Sequence, residues 1–237
     1  MLLNKNSNKW SNPVKYRPFE GRHQNTVTDY ATQLADGCRQ LPYQPGESAQ
    51  TLLLRYLELF VKWNKAYNLS AIREPAEIVS KHLLDSLSIA SFLGGERFID
   101  VGTGGGLPGI PLAICFPERH FTLLDSAGKK TRFLFQVTQA LGLQNVQVEN
   151  RRVESYQPPV PYDGVISRAF ASLKDMTDYC HHLLVAQGKF WAMKGVFPEH
   201  ELSELQKHYI FENAFPLQVP GLTGERCLVV LRKENIQ

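Results

Sequence analysis

Phe98-Ile99-Asp100-Val101-Gly102-Thr103-Gly104-Gly105-Gly106-Leu107-Pro108-Gly109 is the stretch on which the reading of this chain turns. A short apolar strand runs into a glycine-rich octet, and Pro108 is placed to open a helix. Five glycines in eight residues permit backbone angles that side chains block, and let a ligand approach the main chain closely. Strand, sharp loop and helix in that order form the first unit of an open parallel sheet, where ligands bind beyond the carboxyl ends of the strands.

The segments that follow repeat the unit. Strands are predicted at Phe98–Val101, His120–Leu124, Val146–Glu149, Gly164–Ser167 and Lys189–Met193. Helices are predicted at about Pro108–Cys115, Lys129–Leu141, Ser172–Gln187 and Pro198–Tyr209. Two longer strands, about 210–219 and 226–232, flank the turn-rich Pro220–Glu225 and read as an antiparallel pair at the sheet edge. The alternation gives an α/β fold, a mostly parallel sheet covered on both faces, with a terminal antiparallel hairpin. Upstream, three helices are expected near Thr28–Leu41, Gly46–Tyr67 and Pro75–Leu93. Leu53, Tyr56, Leu57 and Phe60 form one buried stripe, and His82 and Asp85 share a face. Residues 1–26, rich in Asn, Lys and Arg with scattered breakers, are expected to be a flexible leader.

Composition bounds the chemistry. A chain of 237 residues with 43% hydrophobic and 21% charged residues buries a core without disulfides or metals. No run of 18 apolar residues suggests a membrane span, and no hydrophobic segment of a secretory signal opens the chain. Four separated cysteines without a CxxC pair argue for reduced thiols in a cytoplasm and against a thiolate metal site. His181-His182, with no further ligands near it, gives no metal site either. The net charge of +3 lies in the first 45 residues, so it does not by itself argue for nucleic acid. Within the neutral body, Lys129, Lys130, Arg132, Arg151 and Arg152 face Glu149 alone, a local basic run.

The acids around the loop choose between cofactors. Gly104-x-Gly106-x-x-Gly109 matches the dinucleotide pattern, but the first glycine after the strand is Gly102, which puts Leu107 where the third glycine belongs. Asp100, two residues before the loop, repels a pyrophosphate and suits an ammonium group. Asp125, at the end of the second strand, can accept both hydroxyls of a ribose. The pair favours S-adenosyl-L-methionine over NAD. On the acceptor side, Arg152, Arg168 and Lys194 emerge at the carboxyl ends of three strands, as if to meet a polyanion. Trp63, Trp191 and Phe170 suit either base stacking or the core.

The whole set of motifs resembles the GidB family of bacterial 16S ribosomal RNA guanine-N7 methyltransferases. Its markers here are Lys62-Trp63-Asn64, Tyr67-Asn68-Leu69, His82-x-x-Asp85-Ser86, Asp100-Val101-Gly102-Thr103-Gly104, Leu107-Pro108-Gly109-Ile110-Pro111, Leu123-Leu124-Asp125-Ser126, Ser167-Arg168-Ala169-Phe170 and Lys194-Gly195. The likeness runs from about Asn25 to Lys233. It departs from the family pattern in its long leader and at Gly105, where some relatives carry proline. The resemblance implies a Rossmann-like class I S-adenosylmethionine-dependent methyltransferase with a seven-stranded sheet at 96–237 and a helical cap at 27–95. It also implies a monomeric cytoplasmic enzyme acting on one guanine in the 530 loop of 16S ribosomal RNA, free or within the small subunit. By the same resemblance, Asn68, His82, Arg152, Arg168 and Lys194 are functional positions. Asp100, Gly102, Thr103, Gly104, Gly106, Leu107, Asp125, Ser126, Val153, Glu154 and Arg168 fall on the cofactor side. The alternatives are a methyltransferase for another RNA base or a metabolite, and a non-enzymatic RNA-binding or ribosome-assembly module.

Overall fold

Seven strands lie in the order β3-β2-β1-β4-β5-β7-β6 in the computed structural model, which describes residues 24–168, 170–205 and 209–234. They are β1 (Arg97–Val101), β2 (His120–Leu124), β3 (Val146–Glu149), β4 (Tyr162–Ser167), β5 (Leu184–Lys194), β6 (Tyr209–Pro216) and β7 (Cys227–Lys233). The pairings among β1 to β5 are all parallel, whereas β7 runs antiparallel to both β5 and β6. The carboxyl ends of β1–β5 therefore share one rim. The antiparallel register Lys194↔Cys227 brings the start of β7 to that same rim.

Period-two alternation divides the strand residues between two cores. Phe98, Phe121, Ile166, Trp191 and Val230 face one way and pack with the amino-terminal helices, α5 (Gly109–Cys115) and α6 (Gly128–Leu141). Ile99, Val101, Val165, Phe190 and Val229 face the other way and pack with α7 (Leu173–Cys180). Trp191 belongs to the core.

The amino-terminal helices are α1 (Gln24–Gln40), α2 (Glu47–Tyr67), α3 (Pro75–Ile78) and α4 (Asp85–Leu87). Residues 1–23 of the expected leader lie outside the described residues. The α2 stripe of Leu53, Tyr56, Leu57 and Phe60 is buried as its spacing predicts, and continues to Asn64. Between α3 and α4 the chain forms a π-helical segment, Val79–Leu84, where a uniform helix was expected. Such segments widen the helix locally and re-aim its side chains.

Several boundaries differ from expectation. The helix predicted to reach Gln187 ends with α7 and a 3₁₀ turn, His181–Leu183. β5 begins at Leu184 because the strand carries an irregularity. Tyr162↔Leu184 is followed by Gly164↔Lys189, and Gln187 takes a φ of +65° in the extra length. A short apolar run such as Leu183-Leu184-Val185 suits either structure, so periodicity alone could not end that helix. The last predicted helix is short, α8 (Glu199–Ser203), and Tyr209 already belongs to β6.

Candidate active site

β1 delivers Asp100 into the interior and then releases the glycine loop. Gly102, Gly104 and Gly106 have φ of +70°, +61° and +91°, angles that L side chains rarely adopt. Gly105 is glycine for another reason. A Cβ there would lie 2.4 Å from Cε2 of Phe60, so the α2 stripe rests directly on the loop. From the same stripe, the Tyr56 hydroxyl donates to the Gly105 carbonyl at 2.6 Å. At Gly104, by contrast, a Cβ would meet only the Gly102 carbonyl, at 4.0 Å, which leaves room for a ligand to approach.

Most of the loop's amides are spent internally. Gly102 and Thr103 donate to the Leu124 carbonyl, Gly106 and Leu107 to the Thr103 carbonyl, Gly104 to Asp125 and Gly109 to Asp100. A pyrophosphate needs free amide donors, and these six are already committed. Thr103 and Leu107 are buried, Leu107 in the core, so neither side chain opens toward a ligand.

Asp100 is buried, and its Oδ2 accepts from the Thr103 hydroxyl at 2.6 Å and the Gly109 amide at 2.8 Å. Its Oδ1 is buried without a hydrogen-bond partner. Burial pushes the carboxyl up to about 6, against the opposing pull of the Thr103 and Gly109 hydrogen bonds and of the Arg168 charge. Asp125 accepts from the Gly104 amide at 2.9 Å on Oδ2 and from the Ala127 amide at 2.8 Å on Oδ1, with Lys130 Nζ 3.6 Å away. It thus caps the turn into α6 and braces the loop together. Ser126 is exposed beside it. Beyond β3, Arg152 and Glu154 are exposed and Val153 is half-buried, in and beside the 3₁₀ turn Val153–Ser155.

The three cations read from the strand ends are treated differently by the fold. The Arg152 side chain makes no ion pair among the described residues. Arg168 donates through Nη1 to Asp85 Oδ2 at 2.8 Å, reaching back to the helices. Lys194 donates to both oxygens of Glu201 on α8, at 3.1 and 2.9 Å, and to the Ala171 carbonyl at 3.2 Å. Glu201 also accepts the Leu173 amide at 2.6 Å, at the start of α7. The sequence reading missed both carboxylate partners. Asp85 appeared only as a face neighbour of His82 and within a family motif, and Glu201 carried no signal.

His82 and Asn68 lie in the helical part, and both are engaged there. His82 has one ring nitrogen, Nδ1, 2.9 Å from the Lys81 carbonyl and the other, Nε2, 2.8 Å from the Ser70 hydroxyl. The carbonyl can only accept, so Nδ1 carries the proton and Nε2 accepts from Ser70. Burial, helped by the Arg168 charge, pushes the imidazole down to about 4 and keeps it neutral. Asn68 ends α2 in the left-handed conformation at φ +51°, and its Oδ1 accepts from Arg73 at 2.7 Å. Asn64, unremarked as a site residue, is the buried clamp of this corner. It donates to the Ile72 carbonyl and accepts from the Ser70 amide, each at 2.8 Å. Trp63 stacks on Tyr67, and Phe170 on Tyr179.

Residues 49–229 match the family model described as "rRNA small subunit methyltransferase G", GidB. A relative named Ribosomal RNA small subunit methyltransferase G, from Saccharophagus degradans, is 63% identical over 202 residues, covering 85% of this chain and 91% of the relative. One of the same name from Ectopseudomonas mendocina is 52% identical, covering 86% and 96%. Among solved structures, an S-adenosylmethionine-dependent O-methyltransferase from Thermotoga maritima superposes with a TM-score of 0.51 at 18% identity, over 65% of this chain and 66% of that one. That distant likeness concerns the fold alone, which is the Rossmann-like fold of class I methyltransferases. A match over most of the sequence, together with relatives more than half identical, decides the family: this chain belongs to GidB, the small-subunit ribosomal RNA methyltransferases G.

Proposed function

We propose that this protein transfers a methyl group from S-adenosyl-L-methionine to N7 of a guanine in the 530 loop of 16S ribosomal RNA, acting as a monomer in the bacterial cytoplasm. The observation that carries the reading is one rim shared by the Asp100–Asp125 loop and by cations from the ends of β4 and β5. Small-subunit ribosomal RNA as the substrate class follows from the family.

The residues fit the cofactor. The open face of Gly104 leaves space for it. Asp125 has lone pairs left for ribose hydroxyls, and the unpartnered Asp100 Oδ1 can receive a donor. The spent amides of the loop disfavour NAD. When bound, S-adenosyl-L-methionine supplies an electrophilic methyl group. Guanine N7 carries a lone pair and no proton, so its attack needs no general base. His82, neutral and bonded at both nitrogens inside the helical layer, suits that requirement. The protein's work is alignment, which removes the entropic part of the barrier. In our reading Arg168 and Lys194 hold the acceptor through phosphate or guanine O6, since bidentate capture of O6 and N7 would block the reacting atom. Arg152 and the exposed Lys129 of α6 take backbone phosphates.

The test is to incubate the protein and labelled cofactor with undermethylated small subunits, or with their naked RNA, and map the modified atom. Label at guanine N7 in the 530 loop is expected. Label elsewhere, or cofactor binding without transfer to either RNA form, would overturn the assignment.

A further inference from the structure

Arg226 was not singled out by its sequence setting, yet the fold carries it to the acceptor rim. It precedes β7, whose first residue pairs with Lys194, and its carbonyl accepts from the Leu217 amide at 2.8 Å at the end of β6. Its Nε lies 3.3 Å from Asp85 Oδ1, while Arg168 holds Oδ2 of the same carboxylate at 2.8 Å. Asp85 is buried, whereas the Arg168 and Arg226 side chains keep 24% and 33% of their surface exposed.

Two guanidinium groups on one buried carboxylate leave a net positive charge, and that charge is turned outward. The 3.3 Å approach does not make a hydrogen bond, because Asp85 Oδ1 has none. Arg226 Nη1 donates to the Glu225 carbonyl, and its remaining donors keep capacity for an anion. A cavity of about 620 Å³ opens beside Arg226, running from Gly195 past the half-exposed Phe197. Glu225 lines the same cavity and Arg168 does not, so the anion preference belongs to the Arg168–Arg226 pair and not to the cavity.

We propose that Arg226 contacts a backbone phosphate of the acceptor RNA beside the target nucleotide, with Asp85 fixing it next to Arg168. The proposal rests on the RNA-methyltransferase reading and adds to it a specific contact.

The test uses the full chain, a 16S ribosomal RNA fragment containing the target loop, and a potassium chloride series. For Arg226→Ala, RNA affinity is expected to fall about tenfold, the low end for a hydrogen bond to a charged group. The slope of log affinity against log salt should drop by about 0.7, one single-strand phosphate contact. Cofactor affinity by calorimetry should be unchanged, and Arg226→Lys should restore the slope. An unchanged slope in Arg226→Ala would overturn the proposal. So would a lysine variant that behaves like the alanine one, or a parallel loss of RNA binding, cofactor binding and melting temperature. If the unsubstituted protein neither bound nor methylated the RNA, the proposed function would fail instead, and the two failures are distinguishable.

Discussion

Lowering the pH from 7 to 5 should set two buried groups against each other. His82 is held neutral, with its imidazole pushed down to about 4, so the unfolded chain takes up its proton first. Stability from this group is present above the ordinary histidine range and is lost as pH falls toward 4. Between pH 7 and 5 the linkage relation gives a loss of about 2 kcal/mol. Asp100 works the other way. Its carboxyl, raised to about 6, binds a proton in the folded state before the unfolded one. The same pH drop therefore relieves about 1 kcal/mol of destabilisation. The unsubstituted protein should lose only the difference, about 0.5 kcal/mol from this pair. His82→Gln, which keeps an acceptor for the Ser70 hydroxyl, should unmask Asp100 and gain about 1 kcal/mol on acidification. Asp100→Asn should unmask His82 and lose about 2 kcal/mol. Urea unfolding at pH 7, 6 and 5 measures all three lines as differences, which cancels the other titrating groups. Parallel lines for His82→Gln and the unsubstituted protein would mean that the imidazole charges as freely in the native state as in the unfolded chain. The buried, doubly bonded histidine would then be wrong.

Gly105→Ala should cost about 1–3 kcal/mol of stability, the usual range for overpacking, because its Cβ would meet the Phe60 ring. Thermal melts should show partial recovery when Phe60→Leu is added. Asp125→Asn turns an amino group toward the amide of Gly104 or of Ala127, so both cofactor affinity by calorimetry and melting temperature should drop. A fall in stability with cofactor affinity intact would remove Asp125 from ribose recognition. Glu201→Gln removes the counter-charge of Lys194. RNA binding should become more salt-dependent by about 0.7 in slope if that lysine then meets a phosphate, and an unaltered slope would leave Lys194 a structural partner of α8.

The parts of this molecule that were readable from sequence are those fixed by local rules. Strand, glycine turn and helix follow one another along the chain, so Asp100, Gly104 and Asp125 could be assigned to one crevice from their order alone. Alternation of apolar residues likewise placed β1 to β4 within a residue or two, whereas β5 begins five residues before its predicted start. The π-helical segment at Val79–Leu84 was not readable, because a single turn of wider helix preserves the apolar pattern on either side of it. The partners of the cations were invisible for a different reason. Arg168 and Asp85 stand 83 residues apart and meet only because the helical layer folds back over the end of β4. Lys194 and Glu201 are only seven residues apart, yet a strand and a helix N-terminus meet there in a geometry that spacing does not encode. This changes the electrostatics of the rim as well as its description. Arg168, Lys194 and Arg226 arrive with two carboxylates among them, so they attract a polyanion less strongly than three free cations would. In return, the carboxylates hold the guanidinium and ammonium groups in place before any RNA arrives, which lowers the entropy lost on binding. A reaction that needs no general base and depends on alignment gains more from that fixed geometry than from additional charge.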